Sequence, residues 1–94
     1  MTREILFFHG ADCPHCKRMR PIVNKLKEEL KAKIISLEVW NNEENADKMR
    51  EFEKIISEAG GGDLGVPAFV DVEHNEAKCG EMEEEELRKW LMEK

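Results

Sequence analysis

The spacing of apolar residues in the first half of the chain predicts two strands joined by a helix. Residues 3–8 end in the apolar run Ile-Leu-Phe-Phe, which is typical of a central strand covered on both faces. Over residues 13–31 the apolar positions recur every three or four residues, which predicts an amphipathic helix. Pro14 fits the first turn of this helix, and Pro21 should kink it. Alternation over residues 33–40 predicts the second strand.

A second helix is expected after this strand. Asn41 and Asn42 carry side chains that can accept hydrogen bonds from the first N–H groups of a helix. The glycine triplet at residues 60–62 should end it. We therefore predict one continuous helix, whose apolar stripe consists of Ala46, Met49, Phe52, Ile55, Ile56 and Ala59.

The last third of the chain predicts a hairpin and a closing helix. Two short strands, at residues 68–72 and 77–79, flank a turn, which implies antiparallel pairing. An amphipathic helix follows Gly80. The order β-α-β-α-β-β-α predicts an α/β fold with a four-stranded mixed sheet flanked by helices, and we expect residues 1–94 to form a single domain.

Composition and charge exclude several classes of function. The 21 acidic and 15 basic residues give a formal net charge of −6, which opposes binding to a nucleic acid or an anionic membrane. No apolar run approaches the ~20 residues that a membrane span needs. The run at residues 5–8 is also too short for a signal peptide. We therefore expect a cytoplasmic protein with neither nucleic acid nor membrane among its partners.

The candidate chemistry lies in the sequence Cys13-Pro14-His15-Cys16, where the first strand gives way to the first helix. Cys13 is at or beside the N-cap, so first-turn N–H groups and the helix dipole favour its thiolate form. Two intervening residues on a helical turn bring Cys16 close enough to Cys13 for a disulfide. His15 either stabilises the thiolate, which would make the disulfide more oxidising, or is an exposed spacer.

Other interpretations of these residues remain open at this stage. Three cysteines in a chain for which we expect no leader argue against a structural disulfide framework and favour redox chemistry or a metal. A metal-binding module would use Cys13, Cys16, Cys79 and His74, since zinc requires four converging ligands. A third interpretation is a noncatalytic binding domain that keeps the fold as a scaffold.

Two segments of the chain resemble the thioredoxin superfamily. Residues 8–21, with Cys-Pro-His-Cys at the centre and a proline five residues after the second cysteine, look like the active-site segment of that family. The stretch Gly65-Val66-Pro67-Ala68-Phe69 resembles its second signature, a cis-proline loop leading into a strand. The resemblance covers almost the whole chain. Phe7 departs from it, because thioredoxins carry a buried acid at that place.

The resemblance implies a role for each matched residue. Cys13 is expected to be the exposed nucleophile that attacks a substrate disulfide, and Cys16 the resolving cysteine that breaks the mixed disulfide. The backbone of Val66 is expected to pair with the substrate chain. Pro67 is expected to follow a cis peptide bond and to pack against the active-site sulfurs.

The function implied by the resemblance is thiol–disulfide oxidoreductase of the thioredoxin or glutaredoxin type. No cofactor is expected besides the redox-active pair Cys13–Cys16. The expected partners are proteins bearing disulfides, with glutathione or a thioredoxin reductase-like enzyme as electron donor, and the protein is expected to be a monomer. In the resembled fold Cys79 borders the rim near Cys13, where it could act as a second resolving thiol or become glutathionylated. The alternative is a partly buried cysteine that serves as a small hydrophobe.

Overall fold

The computed structural model describes residues 4–62 and 65–93, which form a mixed α/β fold. Arg3, which the first predicted strand included, lies outside the described residues. The elements in chain order are β1 (Glu4–His9), α1 (Pro14–Glu29), β2 (Lys33–Glu38), α2 (Glu43–Arg50), α3 (Glu53–Ala59), β3 (Ala68–Asp71), β4 (Glu76–Cys79) and α4 (Glu84–Met92). Within these residues, no helix has the length and apolar character to cross a membrane.

The four strands form one mixed sheet in the order β2-β1-β3-β4, which confirms the predicted sheet. β1 and β2 are parallel, and β3 pairs antiparallel with both β1 and β4. The parallel register places His9, the last residue of β1, opposite Glu38, the last residue of β2. The loop that leaves β1 therefore lies beside the loop that leaves β2.

The sheet separates two apolar clusters. One cluster lies between the sheet and the helices α1 and α4, and its ring-on-ring contact joins Phe7 to Phe69 at a centroid distance of 4.8 Å. The other lies between the sheet and the helices α2 and α3, with Met49 and Ile56 as its buried helical residues. Because side chains alternate along a strand, Leu6 and Phe8 serve this second cluster while Phe7 serves the first.

The single helix predicted after Asn42 is wrong, because the structure contains two helices there. Asn42 does cap α2, since its Oδ1 accepts the Asn45 N–H at 3.1 Å. The helix ends when the backbone of Phe52 leaves the helical region (φ −110°, ψ 16°). The Phe52 N–H donates to Met49 O, three residues back, and α3 begins at the next residue. The break lets Phe52 pack against the second cluster as the N-cap of α3.

Ion pairs join α4 to α1 at the surface of the first cluster. Arg88 donates to both carboxylate oxygens of Glu29 at 2.8 and 2.9 Å, and to Glu84 at 2.8 Å. Lys25 donates to the same Glu84 carboxylate at 2.9 Å. These contacts hold the closing helix against the helix that begins with the two cysteines.

Candidate active site

The Cys-Pro-His-Cys sequence begins α1, directly after the loop that leaves β1. Cys13 is the N-cap of the helix and Pro14 occupies its first turn, which confirms the predicted start of the helix. The Cys13 backbone is extended, and its N–H donates to Gly10 O at 3.2 Å, so the loop closes on itself before the helix starts.

Both cysteine sulfurs accept a hydrogen bond from a backbone N–H. The Cys16 N–H donates to Cys13 Sγ at 3.3 Å within the first turn of α1. The Gly10 N–H donates to Cys16 Sγ at 3.5 Å from the preceding loop. Both residues are free thiols whose side chains interact directly. N–H groups directed at sulfur favour its ionised form.

Cys13 is less accessible than the predicted exposed nucleophile. The residue is 4% exposed, whereas Cys16 is 0% exposed. The difference from the prediction has a local cause, because the Cys13 side chain turns back over the first turn of α1 to accept the Cys16 N–H. Cys13 is nevertheless the more accessible residue of the two.

The Cys16 thiol strongly retains its proton. Burial and the contact with the Cys13 side chain raise the pKa of Cys16 to about 12, while the Gly10 N–H and the Arg20 charge act in the opposite direction. A thiol of this kind is a poor nucleophile until its thiolate is stabilised. The two cysteines are therefore chemically unequal, and Cys16 is the buried thiol with the raised pKa.

His15 is exposed and contacts a carboxylate across the surface. Its Nδ1 lies 2.7 Å from Glu81 Oε1, in the loop between β4 and α4, and the same oxygen accepts a hydrogen bond from Arg18 at 2.7 Å. The contacts with His15 and Arg18 lower the pKa of Glu81 below its ordinary value. A negative charge therefore lies beside the imidazole next to Cys16, and the sequence analysis did not identify it.

His9 lies behind the site, buried on the α1 face of the sheet. Its ring stacks on Phe7 at a centroid distance of 5.1 Å, and its Nδ1 lies 3.4 Å from an Arg20 guanidinium nitrogen. Burial, together with the Arg20 charge, lowers the pKa of His9, and Glu38 opposes that effect only in part. His9 is therefore a neutral imidazole at neutral pH.

Glu38 and Trp40 belong to the surroundings of the site, and the sequence analysis missed both. The Glu38 carboxylate accepts the Ala11 N–H at 3.0 Å from the active-site loop. The Trp40 indole lies flat against Gly10, so that a Cβ at position 10 would overlap the ring. Trp40 is 53% exposed, which makes it a surface residue rather than part of the core. The parallel register of β1 and β2 brings these two residues to the active-site loop. No local sequence pattern predicts that register, so the sequence did not indicate the contact.

The Val66–Pro67 peptide bond is cis, as the resemblance implies. Val66 is half-buried, Pro67 is buried, and the Pro67 carbonyl accepts the Gly80 N–H at 2.9 Å. Val66 also lines a surface groove of about 320 Å³, together with Trp40 and Arg50 among others. The pairing of Val66 with a substrate chain and the packing of Pro67 against the sulfurs stay predictions.

The structure directs the Cys79 thiol to α3 rather than to Cys13. Cys79 lies opposite Ala68 in the β3–β4 ladder, packs with the α2–α3 cluster, and donates through its Sγ to Ile56 O at 3.3 Å. Burial raises the pKa of its thiol. These contacts agree with the alternative of a partly buried small hydrophobe, and the role of a second resolving thiol stays a prediction.

His74 is engaged elsewhere and does not join the cysteines. Its Nδ1 lies 2.9 Å from Asp71 Oδ2 in the turn between β3 and β4, and its N–H donates to the other Asp71 oxygen at 3.2 Å. Across the described part of the chain, no group of three or more His, Cys, Asp or Glu side chains could hold a metal ion. The four ligands of the metal-binding interpretation are thus not brought together there.

No protein-family model matches the chain, and no curated protein matches it. The assignment of a function therefore depends on the residues themselves and on their geometry.

Proposed function

We propose that this protein is a thiol–disulfide oxidoreductase of the thioredoxin superfamily, which exchanges disulfides with other proteins through Cys13 and Cys16. The observation that carries the proposal is the pair of inequivalent thiols at the N-terminus of α1. Cys13 caps the helix and is the more accessible sulfur, whereas Cys16 is fully buried and retains its proton.

The reaction follows from this inequality. The Cys13 thiolate attacks one sulfur of a substrate disulfide, so that a Cys13–substrate bond forms and the substrate S–S bond breaks. The released substrate sulfur leaves as a thiolate and takes a proton from water. Cys16 then loses its proton and attacks Cys13 Sγ, which expels the second substrate thiolate. The substrate gains two electrons, and the protein ends as a Cys13–Cys16 disulfide.

The fold also supports the proposal. A mixed four-stranded sheet with helices on both faces, two cysteines at the start of the first helix and a cis-proline before β3 are compatible with a thioredoxin-like arrangement. We propose a monomer in the cytoplasm that acts on disulfide-bearing proteins. Glutathione or a thioredoxin reductase-like enzyme would return the two electrons in that compartment.

Turnover of a protein disulfide tests the proposal. The protein should accelerate the reduction of insulin by dithiothreitol, and Cys13→Ser should lower the rate by more than about 100-fold because the attacking sulfur is gone. Cys16→Ser should instead accumulate mixed disulfides, which mass spectrometry of the quenched reaction detects.

Cys79→Ser is the matched control, since it removes the third thiol but leaves the pair intact, and it should retain the wild-type rate. No acceleration by the wild-type protein would indicate a scaffold without redox activity. One tightly bound zinc per chain after purification without chelator would favour the metal-binding alternative. Faster alkylation of Cys16 than of Cys13 in the reduced protein would reverse the two roles.

A further inference from the structure

The Glu38 carboxylate joins the active-site loop to the loop that leaves β2. Its Oε2 accepts the Ala11 N–H at 3.0 Å and the Trp40 N–H at 2.8 Å, while its Oε1 accepts the Asn41 N–H at 2.9 Å. One side chain thus satisfies three backbone donors from two segments. Although partial burial opposes ionisation, these N–H groups lower the pKa of Glu38, so the carboxylate is charged at neutral pH.

These contacts also restrain Gly10, the residue before Ala11. Gly10 is held on one side by the Trp40 indole, which lies against it so closely that no larger residue fits. On the other side, Glu38 holds the adjoining Ala11 N–H. The β2 end that carries Glu38 is itself anchored, because the Val39 N–H donates to His9 O at 2.8 Å. The Gly10 N–H belongs to the His9–Gly10 peptide, which the Val39 hydrogen bond holds at its carbonyl, while Glu38 holds the next peptide, Gly10–Ala11, and so limits rotation about Gly10.

The orientation of Gly10 has a chemical consequence at Cys16. The Gly10 N–H donates to Cys16 Sγ at 3.5 Å and acts to lower a thiol pKa that burial raises to about 12. Since Cys16 must become a thiolate before it can attack the mixed disulfide, this N–H assists the second step of the reaction. It does nothing comparable for the first step, in which Cys13 is the nucleophile.

We propose that Glu38 is a positioning residue for the resolving step: by holding Ala11 and Trp40 it keeps the Gly10 N–H directed at Cys16 Sγ. This inference rests on the proposed function, because it assigns Glu38 to one of the two steps of that reaction. The bonds that form and break in this step are those of the proposed reaction. Cys16 gives its proton to water, the Cys13–Cys16 bond forms, and the substrate sulfur leaves with the electron pair of the broken bond.

The two steps can be measured separately with a chromogenic aryl disulfide. Mixing equimolar amounts of it and the reduced protein releases one coloured thiolate when Cys13 attacks and a second when Cys16 resolves the adduct. The experiment uses a Cys79→Ala background, so that only the active-site pair reacts. In Glu38→Gln, which keeps the size of the side chain but has a single oxygen acceptor, the second phase should slow about fivefold. The first phase should stay within about twofold of the parent, and Glu38→Ala should slow the second phase at least as much.

Glu44→Gln is the control variant, because Glu44 is an exposed acid in the first turn of α2 and its loss changes the net charge equally. Both of its phases should match the parent. A second measurement reports on the loop directly, since amide hydrogen exchange at Ala11 and Trp40 should be faster in Glu38→Gln than in the parent and unchanged in Glu44→Gln.

An unchanged second phase in Glu38→Gln, with faster exchange at Ala11, would overturn the proposed role. Equal slowing of both phases would also overturn it, because a general loss of structure would then explain the effect. Failure of the proposed function looks different, since the parent protein would itself release no second thiolate.

Discussion

The His15 imidazole and the Glu81 carboxylate have opposite expected effects on a thiolate in the active site. Its place in the first turn of α1 lets it stabilise a thiolate, but its Nδ1 faces the Glu81 carboxylate at 2.7 Å. The contacts with His15 and Arg18 keep that carboxylate ionised by lowering the pKa of Glu81. Glu81 therefore offsets the positive charge that His15 can offer to sulfur.

Substitution of His15 and Glu81 should move the reduction potential of the Cys13–Cys16 pair in opposite directions. His15→Pro removes a group that stabilises thiolate, so the potential should become more negative by about 30 mV, or about 1.4 kcal/mol for a two-electron couple. Glu81→Gln removes the opposing charge, so the potential should become more positive. Equilibration with glutathione redox buffers measures both.

A double variant shows whether Glu81 acts through His15. Glu81→Gln in a His15→Pro background should leave the potential of the single His15 variant unchanged. Glu83→Gln is the matched control, because this neighbouring exposed acid makes no side-chain cap contact and should not move the potential. If Glu81→Gln leaves the potential of the wild-type background unchanged, the carboxylate does not tune the site.

At the level of elements, α3 covers the one thiol outside the active site. Cys79 ends β4, and its Sγ donates to Ile56 O in α3 at 3.3 Å. Because burial raises the pKa of this thiol, little thiolate is available at neutral pH.

The folded protein should therefore resist modification at Cys79. Treatment with diamide and glutathione should oxidise Cys13–Cys16 fully, while peptide mapping by mass spectrometry should find no adduct on Cys79. The same treatment in denaturing urea serves as the positive control and should label all three cysteines. An adduct on Cys79 in the folded state would mean that α3 opens readily from β4.

The strands, and the place of the two cysteines at the start of α1, could be predicted from sequence because each depends on the spacing of nearby residues. The Asn42 cap and the Cys13 cap, for example, follow from residues three positions apart. The break at Phe52 could not be predicted, since the helical stripe continues through it and only packing on the sheet ends α2. Glu38 and Glu81 escaped detection for a related reason. They lie 27 and 66 residues from the loop and side chain that they contact.

For the whole molecule, the buried His9 links stability to pH. Burial and Arg20 lower the pKa of His9 below its unfolded value of about 6.5, so the unfolded chain binds its proton more readily than the folded protein does. The stabilising contribution of His9 is therefore complete above about pH 6.5 and is lost as the pH falls through its folded pKa.

The wild-type protein should consequently be less stable at about pH 5.5 than at about pH 7.5, as measured by urea unfolding midpoints. His9→Gln should flatten this dependence, because the side chain no longer titrates. His15→Gln is the control, since His15 is exposed on α1 and its removal should leave the slope in place. An equal slope in wild type and His9→Gln would assign the pH dependence to other groups.

Because the sheet divides the core, the residues on its two faces form two sets of positions that selection or design can change separately. Phe7, His9 and the cysteine helix α1 lie on one face, whereas Val66 packs with the α2–α3 cluster on the other. Under the proposed function, changes behind Val66 would act on the groove through the α2–α3 cluster, and changes behind α1 would act on the sulfur pair through the other cluster. Trp40 connects the two sets, because it lines the groove beside Val66 and also lies against Gly10, so a substitution at Trp40 should act on both sides.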